Sequence, residues 1–130
     1  MSHFTREEAN GLIPWLDSVL NQALSVREEL AGLQEKILRL LKESRQNGHT
    51  SREKEMAETH SAMEKAQREL ERLVQDVTDR GIVVRDLGQG LVDFPALRDG
   101  QEVYLCWKLG ENLVDYWHDK DDGFLGRQLL

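Results

Sequence analysis

Cysteine is nearly absent: the 130-residue chain has one, Cys106. A lone thiol excludes an intrachain disulfide and points to a reducing, cytoplasmic setting. Long apolar runs are missing too. None approaches the roughly 18–20 residues that span a bilayer, so no membrane partner is expected. The opening segment Met1–Thr5 has neither a basic stretch nor an apolar one, and no secretory signal is expected. A basic excess is also lacking: 17 Lys and Arg stand against 24 Asp and Glu, for a net charge of −7. A duplex-binding protein gains affinity by neutralising phosphates, so this balance argues against nucleic acid. Arg39, Lys42, Arg45 and Arg52 are interleaved with acids and read as a solvated face. Aromatic residues make up only 6% of the chain, and most lie after Gly81.

Before Gly81 the sequence is helical. Thr5 and Glu8 form a capping box, with Phe4 placed to staple onto Ala9. Leu12, Leu16, Val19, Ala23, Val26, Leu30, Leu33, Ile37 and Leu40 then follow steps of four and three, a heptad seam. A second row, Ile13, Leu20, Leu24, Leu38 and Leu41, widens this face. Pro14 falls inside the pattern and frees the carbonyl of Asn10, so a kink is expected there. Asn47-Gly48 reads as a stop. Thr50 with Glu53 restarts a helix whose seam is Thr59, Met63, Ala66, Leu70, Leu73 and Val77. Gly81 supplies a left-handed end, with Ile82 touching Val77 as in a Schellman closure. The short connection predicts an antiparallel hairpin. Its first helix has more apolar face than the second can cover, so a homo-oligomer through the helices is expected.

After Gly81 the period becomes two. Residues 82–85, 91–94, 102–109 and 113–118 read as short strands, with Pro95 ending the second and Asp99-Gly100 marking a tight turn. The expected fold class is α+β: a long antiparallel helical hairpin over residues 1–80, then a small three- to four-stranded antiparallel sheet over 81–130, in a single domain.

Several blocks carry a resemblance. Phe4-Thr5 to Asn10, Gly90 to Pro95 with Arg98-Asp99-Gly100, Tyr104 to Trp107 with Gly110-Glu111, Trp117-His118-Asp119, and Gly123 to Gln128 together resemble a bacterial family, domain of unknown function 2203 (DUF2203). The resemblance covers essentially the whole chain, and its C-terminal blocks are the specific part. It implies a small stand-alone protein and brings no reaction with it.

The candidate chemistry lies in the β half. His118 with Asp119 and Asp121 offers an imidazole and two carboxylates, a donor set suited to a divalent metal. The segment Asp119 to Gly123 begins like a calcium loop. It then departs from one, because glycine arrives early and Leu130 stands where a glutamate is needed. His118 is also a candidate general base, with Asp93 among the carboxylates that would orient it. Cys106 is a candidate nucleophile if a neighbouring cation lowers its pKa, and a small packed hydrophobe otherwise. Arg127, beside Gly123 and Gly126, is a candidate anion holder together with Arg85 and Arg98. Trp117 is a candidate ligand contact, and otherwise sheet core with Trp107 and Tyr116. No Glu-x-x-His pair occurs, which excludes a di-iron helical site. Without a complete catalytic set, the leading reading is a self-associating interaction or ligand-binding module. The alternative is a metal-assisted hydrolase or related enzyme built on His118, Asp119 and Asp121.

Overall fold

The computed structural model describes residues 3–47 and 50–130, and shows two helices followed by an antiparallel sheet. Helix α1 spans Arg6–Asn47 and runs through Pro14; α2 spans Thr50–Asp79. The capping box forms at the start of α1. Thr5 Oγ1 accepts from the Glu8 N–H at 3.1 Å, and the Thr5 N–H donates to the Glu8 carboxylate at 2.9 Å. Those bonds, the backbone one first, hold the Glu8 carboxyl below its ordinary value. The expected stop at Gly48 lies outside the described residues, as does the Thr50 side chain on which the second cap rests. Gly81 is left-handed, with φ at 88°. Its N–H donates to the Thr78 carbonyl at 3.0 Å, and that of Arg80 to Val77 at 3.2 Å. The Gly81 bond is the one that a left-handed C′ residue makes to C2 in a Schellman closure, and the Arg80 bond tightens the last turn in 3₁₀ fashion.

Five strands follow, one more than the upper expectation: β1 (Val83–Asp86), β2 (Leu91–Arg98), β3 (Gln101–Lys108), β4 (Tyr116–Asp119) and β5 (Gln128–Leu129). They pair in sequential order and every pair is antiparallel. The unexpected strand is β5. Its two residues pair with Tyr116 and Trp117 and are too few to display a period of two. Asp99-Gly100 makes the expected hairpin turn, with φ of 52° and 80°.

Pro95 does not end β2, which continues to Arg98. The Pro95 carbonyl points away from β3 and accepts from the Phe4 N–H at 2.7 Å. Amide and carbonyl of one strand residue face the same side. The missing N–H of Pro95 is therefore one that β3 never needed, and β1 pairs only as far as Asp93.

The chain divides into two compact units. The first joins residues up to Gln22 with Leu73–Leu130. Its core combines Leu16, Leu20, Val77 and Ile82 with Val92, Phe94, Val103, Leu105 and Trp107 from one sheet face. Phe4 meets Phe94 edge-on at 5.3 Å. The second unit is Ala23–Arg72, where α1 and α2 run antiparallel: Lys36 pairs with Glu55 at 3.4 Å and Glu43 with Arg52 at 3.9 Å. Val26, Leu40 and Ala66 are buried there, and the buried Thr59 hydroxyl donates to the Glu55 carbonyl at 2.7 Å. No described helix is long and apolar enough to cross a membrane.

Candidate functional site

Strand register decides which side chains share a face, because residues directly opposite one another point the same way. Asp93 lies opposite Cys106, and Tyr104 opposite His118. Asp93 on β2, Cys106 on β3 and His118 on β4 therefore stand together on the face turned away from Phe94 and Trp107. All three are buried.

Asp93 is the hub. Arg85 Nε donates to its Oδ2 at 2.7 Å, and His118 Nε2 meets its Oδ1 at 3.0 Å. The other ring nitrogen of His118, Nδ1, donates to the Asp119 carbonyl at 2.8 Å. A backbone carbonyl only accepts, so Nδ1 carries a proton. Nε2 and Oδ1 then face each other and need one proton between them. The Tyr104 ring lies under this group, 5.6 Å from the imidazole and 4.8 Å from the Arg85 guanidinium. The hydrogen bond to Asp93 raises the Arg85 pKa above its ordinary value.

Cys106 sits on this floor as a protonated thiol. Burial, and then the charge of Asp93, push its pKa up to about 11. The nucleophile reading would need the opposite shift. From 9.0 to about 11 the folded chain keeps a proton that the unfolded chain loses. Stability from this group is thus full below pH 9.0 and lost as pH rises to about 11. We expect iodoacetamide at about pH 8 to leave Cys106 unmodified in folded protein and to alkylate it in urea. Equal rates in the two states would contradict this environment.

The buried group opens into a pocket of about 250 Å³. Lys120, Asp121 and Asp122 line it from the turn after β4, and Gly123 and Phe124 complete that wall. The family model of DUF2203, described as an uncharacterised conserved protein, matches residues 2–130. The chain belongs to the DUF2203 family. No curated protein and no solved structure matches it.

The structure sorts the other candidate residues of this DUF2203 protein. Asp119 is exposed and reaches His118 only through its backbone carbonyl. Adjacent strand residues point to opposite faces, so His118 and Asp119 side chains do not converge. Asp121 lies beyond the strand and shares the pocket with His118. Among the described residues, the donors brought together are Asp93, Cys106 and His118. Arg127 is already engaged. It makes a two-pronged pair with Glu111 at 3.1 and 2.7 Å and lies between Tyr116 and Phe124, 3.9 and 4.2 Å from their ring centres. Arg98 and Trp117 meet on the other sheet face, stacked at 4.4 Å beside a mostly apolar pocket of about 450 Å³ floored by Phe4, Ala96, Val103 and Leu105. Glu111 is marked in the sequence only as part of the Gly110-Glu111 block, not as the partner of Arg127. It accepts from the Lys108 N–H at 2.8 Å as well as from Arg127, and nothing local in Gly110-Glu111-Asn112 signals that role.

Proposed function

We propose that this protein is a ligand-binding module that assembles through its helices and takes a small ligand in the pocket over Asp93 and His118. One observation carries the reading. Asp93 and His118 are 2% and 4% exposed, yet they floor an opening instead of being sealed beneath apolar side chains. Buried ionisable groups converging in a concavity are the usual mark of a binding or active site.

Gly123 offers a clean test, because it lines the pocket, a Cβ added there meets nothing within 4 Å and its backbone is extended. Gly123→Trp should fill the pocket while leaving the floor intact. In a thermal-shift screen of small organic anions and cations, ligands at a hundredfold excess over Kd should stabilise the wild type by about 2.7 kcal/mol. The same ligands should leave Gly123→Trp unshifted. An unresponsive wild type, or equal shifts in both proteins, would count against the pocket.

Assembly is supported by the helical unit, where Leu38 and Leu41 are 68% and 49% exposed on α1. Exposed leucines so close together favour a partner surface. Leu38→Lys combined with Leu41→Lys changes two exposed positions. It should convert a multimer to monomer in light scattering after size exclusion, and an unchanged mass would refute assembly through this face.

A further inference from the structure

The proposed pocket has a floor whose donors fit a particular class of ligand. We propose that Asp93 Oδ1, Cys106 Sγ and His118 Nε2 form a three-donor site for a borderline divalent cation of the zinc class, with its open side toward the pocket. This inference rests on the reading of that pocket as the ligand site, and names what sits deepest in it.

The three donor atoms lie within 4.8 Å of one another, on three neighbouring strands of one sheet face. Bonds of about 2.0–2.3 Å to a tetrahedral ion place donors about 3.3–3.7 Å apart. His118 Nε2 and Asp93 Oδ1 are already at 3.0 Å, so binding needs only a small spreading of that pair and an approach of the sulfur. Rotation about side-chain bonds covers such distances without moving the strands.

The hydrogen bonds argue in the same direction. His118 spends its Nδ1 proton on the Asp119 carbonyl, which fixes the ring and aims Nε2 at Asp93. Arg85 holds the second oxygen of Asp93 and leaves Oδ1 to face Nε2. An imidazole anchored through its far nitrogen and a carboxylate anchored through its far oxygen are the outer contacts that metal ligands usually have. Between Nε2 and Oδ1 there must be a positive particle. A proton meets that need, and so does a metal ion.

The donor chemistry selects the ion. A sulfur and an imidazole disfavour magnesium and calcium, which prefer all-oxygen shells, and suit zinc or its borderline neighbours. Binding exchanges two protons, one from Cys106 Sγ and one from between Nε2 and Oδ1, for one dication, so the charge of the site is conserved. Three protein donors leave a fourth position facing the pocket, the arrangement found where a metal also contacts a water or substrate.

The test is a cobalt(II) titration of tag-free protein stripped with chelator. Wild type should take up one equivalent with a thiolate-to-cobalt charge-transfer band, and zinc should displace it. Cys106→Ala, a small change in a buried site, should lose the band. His118→Gln removes a direct donor and should weaken uptake by more than the roughly 10- to 100-fold that losing only an outer contact of a ligand costs. A wild-type titration without the band overturns the proposal whether or not the variants fold, as does uptake unchanged in His118→Gln. Gly123→Trp separates the two readings because it leaves every donor in place. A cobalt band kept in that variant while small-molecule binding is lost supports both. A silent wild-type titration alongside Gly123-dependent ligand shifts overturns the metal and leaves the pocket.

Discussion

Asp93→Ala should destabilise the chelator-treated protein by about 3–5 kcal/mol, the usual cost of removing one member of a buried charged pair. The carboxylate serves two partners, but they do not lose equally. Arg85 is 43% exposed and can turn to water, so Arg85→Ala should cost only about 1 kcal/mol. His118 is 4% exposed and has no such escape. Its Nε2 would be left facing the space that the carboxylate occupied, and a buried polar group without a partner costs about 1–3 kcal/mol by itself. Urea unfolding should show the loss as a lower midpoint at unchanged slope. His118→Ala, made on the Asp93→Ala background, should then cost far less than it does in wild type, because the orphaned ring is gone. Additive losses would mean that the two side chains are not coupled as the 3.0 Å contact implies.

Trp107→Ala should be of similar size, about 3–5 kcal/mol, for a different reason. Trp107 is 0% exposed, the largest of the fully buried side chains, and lies on the apolar sheet face opposite Val92. Truncation removes the ring's contacts and leaves a cavity that β2 and β3 are too tightly paired to close. The indole also donates to the Glu111 carbonyl at 3.0 Å. Trp107→Phe keeps most of the volume and gives up that bond, so it should cost roughly 1–2 kcal/mol. A small loss for Trp107→Ala would show that this face collapses more readily than its packing suggests. The bond also ties Trp107 to the Glu111–Arg127 pair, so Trp107→Ala should increase hydrogen exchange around Glu111 as well.

How much of this was legible in the sequence depends on the range of the interaction. The Thr5–Glu8 cap, the Gly81 end and the Asp99-Gly100 turn are local, and each appeared where its residues required. The heptad seam fits the buried positions at Leu16, Val19, Ala23, Val26 and Leu40, although Leu30, Leu33 and Ile37 remain half-exposed. Pro95 misled because its effect depends on what lies beside the strand. A proline breaks a ladder only where its N–H would face a partner, and that side of Pro95 is taken by Phe4. The strand β5 was invisible because two residues have no periodicity.

The site shows the same division. Asp93, Cys106 and His118 each stood out by residue type, but their meeting depends on pairings between β2, β3 and β4. No short-range pattern encodes that register. Strand parity alone separates His118 from Asp119, a constraint available as soon as Tyr116–Asp119 is read as a strand. Arg127 shows the limit of composition: a guanidinium just after Gly123 and Gly126 resembled an anion cradle, yet Glu111, distant in sequence, occupies it.

The most direct measurement is native mass spectrometry of tag-free wild type and Gly123→Trp, both purified without chelator. Both proteins should be multimers, with additional small-molecule mass on the wild type that Gly123→Trp lacks. A wild type of bare single-chain mass, or a bound molecule retained equally by Gly123→Trp, would contradict this expectation.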